Sequence, residues 1–219
     1  MLNEGKLLLI DTVGDAPGAV LTEGVRVLAD AEFPARSASA VLLPEFKRMF
    51  STHGLTVRDL NGIGVVSGPG SFTGVRTGMA IAKALCEVAN LPLAAISRLQ
   101  VLAEAAELEE GFAVLDAGRG ELYVREQRRT EAAREFLTSV ESFEAFAAGA
   151  PIVAAQQRIA ELLYRLAPVV RELHPIDLLG SVRRCLAQDG SNVALADANY
   201  VLPESDIYTR PQPQVSRRG

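Results

Sequence analysis

Two apolar runs in this chain end in an aspartate followed by a glycine turn. "KLLLID" leads into Asp11–Thr12–Val13–Gly14, and "FAVLD" leads into Asp116–Ala117–Gly118–Arg119–Gly120. A carboxylate at a strand end can position a metal ion or a reacting group, and glycine turns let successive amide N–H groups point at one anion. Asp11, Gly14, Asp116 and Gly118 are therefore candidates for a nucleotide-phosphate site. The competing reading is that each aspartate caps its own hairpin turn. The first turn favours that reading, because it lacks a rich glycine and hydroxyl lining.

The densest glycine segment lies elsewhere, in "GPGSFTGVRTG", residues 68–78. It is not a P-loop, since no lysine and hydroxyl follow the last glycine. Gly68, Gly70 and Gly74 are one residue off the dinucleotide fingerprint. An anion could still sit at the start of a following helix, with Ser71 or Thr73 as N-cap. Ser71 as a nucleophile needs a base, and neither His53 nor His174 stands in a triad context; the flanks are not G-x-S-x-G. From Gly74 onward the pattern changes: Gly74, Gly78 and Ala82 recur every four residues and put a smooth stripe on one helix face. Glycine inside a helix costs about 1 kcal/mol relative to alanine, so two imply close approach of another backbone, within the domain or from a partner. Cys86 and Cys185 have no neighbours at metal-ligand spacing, and no metal is expected.

The elements that hold these residues read as two related halves. The chain has 219 residues, 48% of them hydrophobic, which is enough for one large domain or two small ones. Strands are expected at 7–12, 19–24, 25–33, 62–68 and 91–97, with helices at 39–53 and 73–89. Pro44 belongs in the first turn of its helix or marks a kink. The helix at 39–53 carries a wide apolar arc of Leu42, Leu43, Phe46, Met49 and Phe50. After a helix at 99–108 the pattern restarts with a hairpin around Asp116, then helix, strand, helix and strand through residue 173. A last helix is expected at 177–188. Strand, Asp, glycine turn and strand, followed by helix–strand–helix units, recur in both halves, which indicates a duplicated α/β architecture with a mixed sheet in each lobe. The boundaries are 1–97 and 98–210, with 211–219 a disordered tail.

Net charge is −5, which does not favour sustained binding of bare nucleic acid. Arg125, Arg128, Arg129 and Arg134 form a short local cluster that reads as a solvated strand face and turn. The apolar run before Asp11 is too short for a signal peptide or a membrane span, and the expected setting is cytoplasmic.

"GPGSFTGVRTG" resembles the signature loop of the TsaB (YeaZ) family. "LLLIDT", "SRLQVLAEAA", "LDAGRGELYV" and "ANYVLPESD" are similar to that family's opening strand, linker helix, second hairpin and closing segment. The resemblance implies a duplicated actin-like/hexokinase-like (ASKHA) fold with a shortened second lobe. It also implies a noncatalytic subunit that binds TsaD, with the ATPase TsaE, in making threonylcarbamoyladenosine in ANN-decoding tRNAs. Under that reading ATP and metal belong to the partner subunits, tRNA is met only through the complex, and the chain forms a homodimer when TsaD is absent. The TsaD-binding face is expected on the first-lobe helices, at Leu42, Leu43, Phe46, Phe50, Gly74, Gly78 and Ala82. The loop residues Gly68, Pro69, Gly70, Ser71, Phe72, Thr73, Gly74 and Arg76 form the signature.

The sequence departs from the family's pattern at Val13, where a hydroxyl is usual, and near Ser37, where a histidine is usual. Both weaken independent nucleotide or metal chemistry. Two alternatives remain at the level of sequence: an ATP-dependent phosphotransferase or ATPase using Asp11 and Asp116, and a glycoprotease-like peptidase.

Overall fold

Leu7, Leu8, Leu9 and Ile10 are all fully buried, and this unbroken apolar run makes β1 (Lys6–Asp11) the centre of a five-stranded sheet. The computed structural model describes residues 4–34, 38–188 and 196–199. On one side of β1, β2 (Gly18–Glu23) and β3 (Arg26–Glu32) continue as an antiparallel meander; on the other, β4 (Gly62–Gly68) and β5 (Leu93–Ser97) run parallel to it. The strand order is β3-β2-β1-β4-β5. The parallel connections use α1 (Ala38–Thr52), between β3 and β4, and α2 (Phe72–Ala89), between β4 and β5.

After α3 (Arg98–Ala105) the plan repeats with β6 (Gly111–Gly118), β7 (Glu121–Gln127), β8 (Arg134–Ser139), β9 (Ile152–Ala154) and β10 (Val169–Val170). The order β10-β9-β6-β7-β8 is the first sheet's order restated, with β6 antiparallel to β7 and parallel to β9. The internal duplication expected from sequence is thus present strand for strand. The second copy is shorter: α4 (Val140–Phe146) and α5 (Gln157–Leu162) have 7 and 6 residues against 15 and 18 for α1 and α2.

Several local expectations need correction. Pro44 lies in the interior of α1, which rules out the first-turn placement of the two expected for it. β8 was not expected at all. The last helix, α6 (Leu179–Ala187), belongs by sequence to the second lobe but packs on the first: Leu178 and Val182 join the core around β1 and β4. Two glycines in β4 explain how. A Cβ on Gly62 would lie 2.7 Å from Leu186 Cδ1, and one on Gly64 would lie 2.3 Å from Val182 Cγ2. The bare strand face lets α6 sit directly on it. The expected closing segment beyond Asn199, the tail at 211–219 and Ser37 fall outside the described residues. No helix among the described residues is long and apolar enough to cross a membrane.

Candidate functional site

Both hairpin aspartates are turned back on their own turns. Asp11 is buried, and its Oδ1 accepts hydrogen bonds from the amides of Val13 at 2.7 Å and Gly14 at 3.2 Å. Asp116 Oδ1 accepts from the Gly118 amide at 2.6 Å, while its Oδ2 pairs with Arg158 at 3.0 Å. Three of the turn amides that would face a phosphate, those of Val13, Gly14 and Gly118, are therefore committed to carboxylates. A cation also stands beside each carboxylate. Arg158 pairs with Asp116, and Arg98 Nη2 and Asp11 Oδ2 approach a Cβ built on Gly14 at 3.1 and 3.3 Å. The residues present do not fit the nucleotide and metal that an actin-like cleft would otherwise hold.

The signature loop packs on this first hairpin. Gly68 and Gly70 have φ of 111° and 149°. A Cβ on Gly70 would meet Val13 Cγ1 at 2.4 Å, and one on Gly68 would meet the Asn199 carbonyl oxygen at 2.5 Å. Side chains there would be displaced by backbone or by a core valine. Ser71 is the N-cap of α2, its hydroxyl accepting from the Gly74 amide at 3.3 Å. That settles the choice between Ser71 and Thr73. Phe72 is 43% exposed, with the Arg76 guanidinium 3.9 Å above its ring, so the start of α2 presents a stacked aromatic–cation pair at the surface.

The small-residue stripe faces inward. A Cβ on Gly74 would lie 2.2 Å from the Thr12 carbonyl oxygen, one on Gly78 would lie 2.3 Å from Thr12 Oγ1, and Ala82 is fully buried. Thr12 Oγ1 donates to the Gly74 carbonyl at 2.7 Å, closing the contact. Gly74, Gly78 and Ala82 are therefore not a docking surface; the close backbone approach they permit is between α2 and the β1–β2 turn of the same chain. Leu42, Phe46 and Phe50, also expected at a partner face, are 0%, 2% and 8% exposed and belong to the first-lobe core. Among the expected interface residues of α1, Leu43 is the one at the surface, 55% exposed. It borders a groove of about 360 Å³ whose walls include Phe46, Phe50, Leu55, Val57 and Leu85.

Between the two hairpins lies a second cavity, of about 480 Å³, lined by Asp15, Arg98, Gln156, Arg158, Glu172 and Leu173 among others. Gln156 spans the lobes: its Oε1 accepts from the Asp116 amide at 3.3 Å and its Nε2 donates to Asp15 Oδ2 at 2.9 Å. Arg98 and Gln156 are 6% and 9% exposed. Sequence reasoning missed both, although an arginine directly after the apolar strand end "LAAIS" is a signal that could have been weighed.

The remaining candidates are occupied by local structure. Each of the four clustered arginines pairs with an acid: Arg125 with Glu135 at 2.9 Å, Arg128 and Arg134 with Glu126 at 2.6 and 2.7 Å, and Arg129 with Glu109 at 3.0 Å. His174 Nδ1 accepts from the Ile176 amide and its Nε2 lies 3.2 Å from Asp30, while the Ser71 hydroxyl serves as a cap. Neither arrangement activates a nucleophile.

A family model described as TsaD, tRNA N6-adenosine threonylcarbamoyltransferase, matches residues 32–171, well over half of the chain. The tRNA threonylcarbamoyladenosine biosynthesis protein TsaB of Escherichia coli (strain K12) is 35% identical over 130 residues, 58% of this chain and 56% of that protein. The Haemophilus influenzae protein of the same name is 34% identical over 134 residues, 57% of this chain and 56% of that protein. The chain thus spans about half the length of the curated relatives it matches. A solved Pseudomonas aeruginosa protein, described as having similarity to peptidase YEAZ, superposes with a TM-score of 0.74 at 24% identity, covering 90% of this chain and all of that one. That likeness bears on the fold, and it agrees with the duplicated actin-like architecture. From the family model, the relatives and the signature loop together, this chain belongs to the TsaD-type threonylcarbamoyltransferase family and, within it, to the TsaB (YeaZ) proteins.

Proposed function

We propose that the chain is a noncatalytic subunit in tRNA threonylcarbamoyladenosine biosynthesis, acting by docking and supporting a TsaD-type catalytic subunit. The observation that carries this reading is the state of the hairpins: Asp11 Oδ1 and both oxygens of Asp116, which would otherwise receive a metal or orient a phosphate, are tied to Val13, Gly14, Gly118 and Arg158. A chain whose hairpin carboxylates are committed in this way contributes by contact. ATP and metal then reside on the partner subunits, and a TsaE-type ATPase meets this chain within the assembly.

The docking face is the exposed side of the α1–α2 layer. Leu43, at 55% exposure, and the adjoining groove with Leu55, Val57 and Leu85 offer apolar area that no described residue covers. A homodimer through the same face in the absence of the catalytic subunit follows from the same surface.

The test is a tRNA-modification assay with the cognate TsaD-type protein and its ATPase, with and without this chain, alongside co-purification of the pair. Modification that requires the chain, with no turnover by the chain alone, is the expected result. Modification that proceeds equally without it, or ATP hydrolysis by the isolated chain, overturns the proposal.

A further inference from the structure

We infer that the cavity between the two hairpins is a binding site for a small oxyanion-bearing molecule, a phosphate or a carboxylate, anchored by Arg98. Arg98 opens α3 at the junction between the sheets and is 6% exposed. A guanidinium stays protonated at any working pH, and leaving a cation buried without a counter-charge costs several kcal/mol. Yet among the described residues its guanidinium makes no hydrogen bond or ion pair, and its Nε is buried with no partner at all.

Four carboxylates stand around it, those of Asp11, Asp15, Asp116 and Glu172, and none is paired with it. Asp11 Oδ1 holds two turn amides, Asp15 Oδ2 accepts from Gln156, and Asp116 is shared between the Gly118 amide and Arg158. Asp11 Oδ2 reaches the space above Gly14 that Arg98 Nη2 also reaches, without closing an ion pair. The unmet requirement is thus an oxygen in hydrogen-bond contact with the guanidinium, which a ligand in the cavity supplies. The cavity has about 480 Å³, within the ordinary range for small-molecule sites. Gln156 and Arg158 supply further donors on its wall, and Ala155 and Leu173 supply apolar area.

This is not the nucleotide mode of the fold. There, hairpin amides grip the phosphates; here the Val13, Gly14 and Gly118 amides are taken by aspartates, and a side chain from the linking helix carries the positive charge. Gly14 leaves the guanidinium room, since a Cβ there would lie 3.1 Å from Nη2 and press it aside.

The experiment titrates the full chain separately with inorganic phosphate and with acetate, at ionic strength held constant with sodium chloride. Heat is followed by calorimetry and the Arg98 Nε–H resonance by NMR. Saturable binding that moves that resonance, and that weakens about tenfold or more in Arg98→Met and in Gly14→Ala, supports the site. The arm that saturates at lower concentration identifies phosphate or carboxylate as the ligand's charged group. Absence of a saturable response from both probes at millimolar concentration overturns the inference, as does equal affinity in a folded Arg98→Met chain. Should Arg98→Met not fold, the native chain decides: a resonance that both probes leave unmoved also overturns it.

Discussion

Gly78 on α2 and Thr12 at the end of β1 are in contact so close that a single added methyl would lie 2.3 Å from the threonine hydroxyl oxygen. This contact seats the longest helix of the first lobe on the hairpin that carries Asp11, and it accounts for glycines that a free helix would not favour.

Gly78→Ala should lower stability. The gain in helix propensity, about 1 kcal/mol, is opposed by overpacking of about 1–3 kcal/mol. Thr12→Ala should restore much of the loss, because the atom met at Gly78 is the side-chain Oγ1. Gly74→Ala should not be rescued in that way, since its Cβ meets the Thr12 backbone oxygen at 2.2 Å. Urea unfolding of the single and double variants measures the difference; equal rescue at both positions would contradict this geometry.

Leu43→Asp separates docking from folding. At 55% exposure the change should alter stability by no more than about 0.5 kcal/mol, yet co-purification with the catalytic partner should fall about tenfold or more. Phe46→Ala, by contrast, empties a site that is 2% exposed and should cost about 3–5 kcal/mol of stability. If Leu43→Asp leaves the complex intact, the partner docks elsewhere.

Acid should loosen the attachment of α6. Burial pushes the Glu104 carboxyl up, but hydrogen bonds from Ser181, Gln100 and Arg184 together outweigh it and hold the group below its ordinary value of 4.5. The folded chain therefore binds fewer protons at Glu104 than the unfolded chain does. The stabilisation is fully present above pH 4.5 and is lost as pH falls from there through the lowered folded value. Unfolding midpoints measured across this range should drop less steeply in Glu104→Gln, which lacks the titrating group.

Thiol labelling should report the core. Burial pushes the Cys86 thiol up to about 12, leaving almost no thiolate near neutral pH. Cys185 is also raised but is less buried, so it should react with iodoacetamide first, with Cys86 modified only after unfolding. Peptide mass spectrometry after timed labelling distinguishes the two; equal rates would contradict the packing of α2.

How much of this could be read from the sequence depends on how local each feature is. The two hairpins and the crossover helices follow from apolar runs and glycine turns, and the duplication from their recurrence. β8 escaped because "REFLTS" is short, partly exposed and charged, an edge strand supported by β7 alone. The apolar arc of α1 was visible, but periodicity cannot say which of its residues meet the sheet and which meet solvent; Leu42 and Leu43 are adjacent and differ completely. The glycine stripe was legible as a demand for close approach, and only the fold could name Thr12 as what approaches. Arg98 reaches Gly14 across the ends of the parallel strands of the first sheet, and Gln156 reaches Asp15 only where the lobes meet; no spacing encodes either.

The return of α6 to the first sheet sets an order of completion. Gly62 and Gly64 leave β4 with a bare face against which Val182 and Leu186 make the nearest contacts, and the Ser67 carbonyl accepts from the Asn199 amide at 2.7 Å. A ribosome releases those residues after the strands of the second lobe, so the half of the protein made earlier cannot finish its interior until they emerge. The nascent first lobe must hold an open hydrophobic flank until then, and a chain cut short before residue 179 leaves that flank uncovered.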